Sequence, residues 1–162
     1  MRKILIITIC LALTCAALTY SQMKPEEDLM PLKSFLNRYC SWVKLPGPAP
    51  IDKSAIAPDI TAFWSNGKEY QSREEFVSAH EEAIRELQEY FTTFCVTPLN
   101  VTYRRNGNVG WIVYYLDEEG TMKENCEQFT KAIKSTLILE KREGQWQLVH
   151  EHSSQIKKHG KQ

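Results

Sequence analysis

Apolar residues recur at helical spacing in two stretches of the chain. The first stretch follows Pro25, and acids precede an apolar side formed by Leu32, Phe35, Leu36, Tyr39 and Val43. The second follows a capping box of Ser72 and Glu75. Its apolar side continues through Phe76, His80, Ala83, Ile84, Leu87, Phe91 and Phe94. We therefore predict a first helix that ends by Leu45 and a second, longer helix.

Extended segments dominate the rest of the chain. Asn66-Gly67 between two extended runs predicts a hairpin before the long helix, because the tight turn needs positive φ at both positions. After that helix the pattern predicts four strands, at 96–104, 109–117, 129–141 and 144–154. The turns between them are expected at Asn106-Gly107, Glu119-Gly120 and Glu143-Gly144. Two helices and about six strands indicate an α+β domain.

Two of these strands are apolar on both faces, at 111–116 and 137–139. An antiparallel sheet with one wet face would alternate, so both faces need to be covered. The helices can cover one face, and for the other we predict a homodimer through the sheet. The alternative is a thicker monomer whose own loops cover the second face.

The final strand carries the most informative chemistry. Because side chains of a strand alternate between the two faces of a sheet, one face holds Trp146, Leu148, His150, His152 and Ser154, and the other holds Gln147, Val149, Glu151 and Ser153. Two imidazoles at the end of an apolar stripe predict the wall of a pocket.

The N-terminus has the pattern of a signal peptide. Basic Arg2 and Lys3 precede an almost wholly apolar run from Ile4 to Leu18, and cleavage is expected near Ser21. The run is shorter than the roughly 20 residues that a membrane-spanning helix needs, so no stable membrane anchor is expected. We predict a signal peptide at 1–21, a domain at 22–156, a basic tail at 157–162, and a secreted or periplasmic location.

Charge and cysteine content exclude several function classes. The chain has 20 basic and 20 acidic side chains and no basic cluster interleaved with aromatics, which argues against nucleic acid. Cys40, Cys95 and Cys126 remain after the signal, so at most one internal disulfide is expected, with Cys95–Cys126 favoured. No phosphate-binding glycine loop, Ser-His-Asp order or Cys-x-x-Cys pair occurs in the sequence.

The closing segment 140–154, with its pattern Gly-x-Trp-x-x-x-His-x-His-x-Ser, resembles the nuclear transport factor 2-like superfamily, specifically its SnoaL-like members. Pro58 to Phe63 and the helix after Ser72 fit the same family, and the resemblance covers roughly residues 28 to 154. It implies a cone-shaped, cystatin-like α+β fold, in which a curved antiparallel sheet wraps around a long helix. An apolar cavity opens at one end, and members are commonly dimeric. They include isomerases, cyclases, dehydratases and domains without catalysis.

Candidate site residues follow from the strand pattern and the resemblance together. His150 and His152 are candidate acid/base groups, Tyr39 a candidate phenol donor and Asp59 a candidate base. Each also has a structural interpretation, and His80 is expected to be a core histidine. The predicted ligand-binding set is Tyr39, Trp42, Trp64, Trp111, Tyr115, His150 and His152. No metal site and no cofactor are predicted.

Three functions are compatible with this pattern. The preferred hypothesis is an exported, dimeric domain that binds a small, partly apolar molecule in its cone. The second is a cofactor-independent isomerase, dehydratase or cyclase that uses a histidine as acid or base. The third is an assembly or interaction domain whose cavity is filled by its own side chains.

Overall fold

The structure is a computed structural model of the 162-residue chain that describes residues 28–156. The chain forms two compact units, Met1–Met30 and Pro31–Gln162, and the sheet described below belongs to the second unit. The predicted signal peptide at 1–21 and the basic tail at 157–162 lie outside the described residues. None of the helices within residues 28–156 combines the length and apolar character needed to cross a bilayer.

Between residues 30 and 156, two α-helices and a short 3-10 turn accompany the sheet. Helix α1 spans Met30–Ser41 and buries Leu32, Phe35 and Leu36, and the 3-10 turn follows at Lys53–Ala55. Helix α2 spans Arg73–Tyr90. The predicted cap of α2 is confirmed, since the Ser72 hydroxyl accepts a hydrogen bond from the Glu75 backbone N–H at 3.3 Å.

Six strands form one sheet in the order β2-β1-β6-β5-β4-β3. The strands are β1 Ile56–Phe63, β2 Glu69–Tyr70, β3 Phe91–Asn106, β4 Val109–Met122, β5 Gln128–Arg142 and β6 Gln145–Gln155. The predicted α+β fold with about six strands is confirmed. The sheet is mixed and not wholly antiparallel, because β6 returns from the meander to pair parallel with β1.

Two predicted boundaries are wrong. Helix α2 ends at Tyr90, so Phe91 and Phe94 lie in β3, and β4 runs through the expected turn at Gly120 to Met122. Gly120 is an internal strand residue because β3 crosses it closely: a Cβ there would lie 2.8 Å from the carbonyl oxygen of Thr93. The glycine therefore marks a close approach of two strands and not a turn.

The last predicted turn is correct. Glu143 and Gly144, between β5 and β6, have φ of 51° and 84°. Positive φ at both positions is what a tight hairpin turn requires.

The three cysteines of the described chain, Cys40, Cys95 and Cys126, are free thiols. The favoured Cys95–Cys126 disulfide is not formed. Cys95 lies opposite Glu119 in the β3–β4 ladder, whereas Cys126 lies beyond the end of β4, before β5 begins.

A β-bulge in β6 decides which side chains of that strand face inward. Ile138 of β5 pairs with His150, but its neighbour Leu139 pairs with Leu148, so Val149 is an extra residue on β6. The period of two breaks at this point. Leu148 and Glu151 are both buried, whereas His152 is exposed and His150 is only partly covered.

Candidate functional site

A cavity of about 410 Å³ lies between the two helices and the inner face of the sheet. Its apolar wall includes Val43, Ala83, Leu87, Phe91, Phe94, Val96, Leu116, Phe129 and Ile133. Its polar and aromatic lining includes Tyr39, Trp64, His80, Glu86, Tyr114, Glu118, Lys131, Ser135, Glu151 and Ser153. A concave, mostly apolar space with a few polar groups is typical of a small-molecule site.

Glu151 is the central polar group of this cavity. The bulge at Val149 turns its side chain inward, and the residue is only 5% exposed. One carboxylate oxygen, Oε2, accepts two hydrogen bonds, from the Tyr39 hydroxyl at 2.8 Å and from the Trp64 indole N–H at 3.2 Å. Burial raises the pKa of the Glu151 carboxyl to about 7, against the opposite effect of these two donors. The carboxyl therefore changes its charge near neutral pH.

His80 of α2 contributes a neutral imidazole. Its Nδ1 lies 3.1 Å from the carbonyl oxygen of Phe76, and a carbonyl only accepts, so this nitrogen carries the proton. The other nitrogen, Nε2, lies 3.3 Å from the Tyr39 hydroxyl. Burial lowers the pKa of His80 to about 4, although the hydrogen bond to Phe76 raises it. At neutral pH the ring is uncharged and offers a lone pair to Tyr39.

The Tyr39 hydroxyl connects these two groups. It has one proton and two neighbouring acceptors, Glu151 and the His80 Nε2 atom. Burial, followed by the charge of Glu151, raises the pKa of Tyr39 well above its ordinary value, so the phenol stays protonated. Ionised Glu151 attracts that proton, and protonated Glu151 leaves it available to His80.

Aromatic rings fix the position of the donors. The Trp64 ring lies edge-on to His80, with centroids 4.6 Å apart, and to Tyr70 at 4.8 Å. The Tyr39 ring packs against Trp42 at 5.0 Å. Rings held in this way have few alternative rotamers, so the hydrogen bonds to Glu151 are preorganised.

A second carboxylate in the cavity has a cationic partner. Lys131 Nζ lies 3.6 Å from Glu118 Oε2, and the two side chains come from adjacent strands. Burial raises the pKa of Glu118, and Lys131 opposes this shift.

Three of the residues considered from the sequence line the cavity. They are Tyr39 and Trp64, from the predicted ligand-binding set, and His80, which was expected in the core. His80 is buried from bulk solvent and lines the cavity. Trp42 does not line it: at 2% exposure it is a core residue that supports Tyr39.

The other predicted residues on β1 and β4 lie elsewhere. Trp111 and Tyr115 alternate with inward-facing Tyr114 on β4, so they are on the outer face, and Tyr115 is 40% exposed. Their prediction as cavity residues is wrong. Asp59 is exposed and paired with Arg142, whose guanidinium lowers the pKa of the Asp59 carboxyl. It lies outside the cavity, so its prediction as a base there is also wrong.

The prediction that His150 and His152 wall the cavity is wrong because it assumed an unbroken strand. After the bulge at Val149 both imidazoles are on the outer face. His150 Nδ1 lies 2.8 Å from the Thr61 hydroxyl, and its ring lies 5.9 Å from that of Phe63. Burial, followed by the neighbouring His152, lowers the pKa of His150.

The functional residue that sequence reasoning missed is Glu151. An acid between two histidines on a strand gives no signal by itself, since the alternating pattern assigns it to the face opposite the predicted pocket wall. The only clue is that Glu151 follows the apolar Leu148 by three residues. Two strand residues at this spacing lie on the same face only if a bulge stands between them. Among residues 28–156 no group of three or more His, Cys, Asp or Glu side chains is arranged to hold a metal ion.

Several known proteins share this architecture. An uncharacterized protein with a cystatin-like fold from Caulobacter vibrioides superposes with a TM-score of 0.63 at 18% identity, over 79% of this chain and 89% of that one. A nuclear transport factor 2-like superfamily protein from Salmonella enterica gives 0.62 at 14% identity, over 80% and 91%. A hexachlorocyclohexane dehydrochlorinase, LinA-type3, from Novosphingobium barchaimii gives 0.63 at 12% identity, over 80% and 87%. At these identities the likeness shows the fold.

Sequence comparison gives the family. No curated protein sequence matches the chain. A family model described as a SnoaL-like domain matches residues 52–157, which include all six strands and helix α2. With this match over more than half of its length, the chain belongs to the SnoaL-like family, and its six-stranded sheet has the fold of the nuclear transport factor 2-like protein from Salmonella enterica.

Proposed function

We propose that this protein binds a small, largely apolar molecule in the cavity, with a polar group of that molecule hydrogen-bonded to Glu151. The observation that carries the proposal is a buried carboxyl held by two donors at the wall of an apolar cavity of about 410 Å³. Known ligand pockets begin at about 300 Å³, so the space admits a molecule of drug-like size. This volume also disfavours the hypothesis of a domain whose cavity is filled by its own side chains.

A cavity-filling substitution tests the proposal. Ala83 lines the cavity from α2, and Ala83→Trp should occupy part of the space. Ser78→Trp is the matched control, because Ser78 is exposed on the same helix. With 4-phenylbutan-1-ol as the probe in isothermal titration calorimetry, we expect binding to the wild type and the control, and at least tenfold weaker binding to Ala83→Trp. Absence of heat with the wild-type protein would reject the proposal.

The second candidate function is cofactor-independent acid/base catalysis. It is favoured by a carboxyl whose pKa lies near 7, the range in which a group both accepts and returns protons efficiently. Glu151, and not a histidine of β6, would take the proton. The carboxylate would remove a proton from the carbon next to a bound carbonyl, which leaves an enolate, and the protonated carboxyl would then return a proton to that carbon.

Hydrogen exchange tests this candidate without a known substrate. In D₂O near neutral pD, 4-phenylbutan-2-one should exchange its α-hydrogens faster with wild-type protein than with Glu151→Gln, as followed by proton NMR. Equal rates for the two proteins would reject Glu151 as the base and would leave the binding proposal intact.

A homodimer through the outer face of the sheet is part of the proposal. Phe63, Leu99 and Tyr115 are exposed there, and strand register places Phe63 beside His152 and Leu99 beside Tyr115. Exposed apolar side chains such as the neighbouring Leu99 and Tyr115 favour association. We expect Tyr115→Lys to shift the protein from dimer to monomer in sedimentation velocity, whereas Gln88→Lys on exposed α2 should leave the dimer unchanged. A wild type that sediments as a monomer at micromolar concentration would contradict this part.

Export completes the proposal and rests on the basic and apolar pattern of residues 1–21. The intact mass of protein recovered from the periplasm or culture medium should correspond to a chain that begins near residue 22. A full-length mass in the cytoplasmic fraction alone would contradict export.

A further inference from the structure

The charge of Glu151 has no cationic partner in the cavity. His80, the nearest basic group that lines it, is neutral at physiological pH because burial holds its pKa at about 4. Lys131 is engaged with Glu118 at 3.6 Å. Within residues 28–156, no other Lys, Arg or His lines this space. A buried carboxylate without a countercharge is costly, and either a proton or a cationic ligand relieves that cost.

The free side of the carboxyl is available to a ligand. Oε2 accepts from both Tyr39 and Trp64, whereas Oε1 has no hydrogen-bond partner in the described part of the chain. The two donors fix the plane of the carboxyl, so they also fix the direction of the Oε1 lone pairs. Glu151 lines the cavity, and Oε1 is the acceptor that remains for a donor within it.

The surroundings of Glu151 suit a positive charge. Tyr39, Trp64 and Tyr114 line the cavity together with Glu151, and none of them carries a positive charge. Beyond them the wall is apolar, with Leu87, Phe94 and other aliphatic and aromatic side chains. The lining as a whole holds three carboxyls, Glu86, Glu118 and Glu151, against one lysine.

We propose that the ligand class is an ammonium ion with an apolar body, whose N–H donates to Oε1 of Glu151 while the body occupies the apolar part of the cavity. This inference rests on the proposed binding function and specifies its ligand. Neutral ligands bind the carboxyl in either state of charge, because a hydroxyl both donates and accepts hydrogen bonds, and anions are repelled by the three acids.

The pH dependence of binding between pH 6 and pH 8 reports on the carboxyl that the ligand contacts. The neutral titratable groups around Glu151 are Tyr39 and Cys40 from α1, Tyr70 from β2, His80 from α2 and Tyr114 from β4. Between pH 6 and pH 8 all five stay neutral, because the pKa of each tyrosine is raised, the pKa of Cys40 is raised to about 12 and the pKa of His80 is lowered to about 4. Glu118 and Lys131 remain paired on the neighbouring strands.

A matched ligand series tests the inference. We would titrate wild-type protein with 4-phenylbutylamine, 4-phenylbutan-1-ol and 4-phenylbutyric acid at pH 6 and pH 8 by isothermal titration calorimetry. With the pKa of Glu151 at about 7, its ionised fraction rises from about 0.1 to about 0.9 across this interval. The amine should therefore bind about tenfold more tightly at pH 8, the alcohol should change by less than twofold, and the acid should bind most weakly.

Variants separate Glu151 from the general charge of the protein. Glu151→Gln keeps the shape and accepts the same two hydrogen bonds, so it should reduce amine affinity at pH 8 at least tenfold and spare the alcohol. Glu89→Gln removes one exposed carboxylate from α2 outside the cavity lining and should change neither ligand. The wild-type pH series decides the matter even if Glu151→Gln folds poorly.

The outcomes distinguish this inference from the proposed function. If the alcohol binds and the amine is no tighter at pH 8 than at pH 6, the ammonium ligand class is overturned and the binding function stands. If none of the three compounds binds the wild type, the binding function fails and this inference fails with it.

Discussion

Replacing Glu151 with glutamine should change how the stability of the protein depends on pH. Burial raises the pKa of Glu151 in the folded state to about 7, from an ordinary value of 4.5. The folded carboxyl therefore holds a proton that the unfolded chain has already released. Stability from this group is fully present below about pH 4.5 and is lost as pH rises through 7.

The size of the effect follows from the two pKa values. Proton linkage with values of 4.5 and about 7 gives a loss of about 2.5 kcal/mol between pH 5 and pH 8 from Glu151 alone. The side chain is 5% exposed, so solvent screening reduces this little. Glutamine keeps the acceptor for Tyr39 and Trp64 but does not titrate.

Urea unfolding at pH 5 and pH 8, followed by tryptophan fluorescence, measures the difference. Relative to Glu151→Gln, the wild type should become less stable by about 2.5 kcal/mol between the two pH values. Glu89→Gln, with the same change of charge at an exposed site, should follow the wild type. If the stability of the wild type and of Glu151→Gln depended on pH in the same way, a buried carboxyl with a raised pKa at this position would be refuted.

Three further substitutions test neighbouring features. His80 should make the protein less stable in acid: its pKa is lowered to about 4, so the wild type loses about 2.4 kcal/mol of stability as pH falls from 7 to 4.5. Urea unfolding of His80→Gln should show that this loss is absent, and a variant that loses as much stability as the wild type would contradict the prediction. Tyr39→Phe removes the hydroxyl that donates to Glu151 at 2.8 Å, so it should raise the pKa of the Glu151 carboxyl further and reduce the free energy of unfolding at pH 8 by about 1–3 kcal/mol. A Glu151 carboxyl that titrates at the same pH in the variant and the wild type would contradict this. Gly120→Ala should cost about 1–3 kcal/mol in thermal unfolding because its Cβ would lie 2.8 Å from the carbonyl oxygen of Thr93, and an unchanged melting temperature would contradict the close approach of the two strands.

Much of the fold follows from local sequence signals. The cap at Ser72, the turn at Glu143-Gly144 and the helical spacing of Leu32, Phe35 and Leu36 are each decided within a few residues, and each is correct. Such signals depend on backbone chemistry that neighbouring residues determine by themselves. They specify the elements well before any tertiary contact is known.

The candidate site depends on a feature that is not local. The face that Glu151 occupies is set by the pairing of β6 with β5, where one extra residue, Val149, shifts the register. No residue type in this segment requires a bulge, so the alternating pattern placed His150 and His152 inside and Glu151 outside. One inserted residue reverses every later side chain on the strand.

Long-range packing explains the other differences. A glycine at 120 predicts a turn because glycine is common in turns, but the role of Gly120 depends on Thr93 in the adjacent strand. Phe91 and Phe94 continue the helical spacing of α2 and yet belong to β3, where they pack against each other and Phe91 also contacts Phe129. In each case tertiary contacts override the local preference.

The titration of Glu151 itself tests the central claim most directly. Carbon-13 NMR of glutamate Cδ resonances between pH 3 and pH 9 resolves individual carboxyls, and the signal that Glu151→Gln lacks identifies this one. We predict a midpoint at about 7, because the side chain lies in the cavity behind the bulge at Val149. A midpoint near the ordinary value of 4.5 would show that the carboxyl faces solvent and would contradict the account.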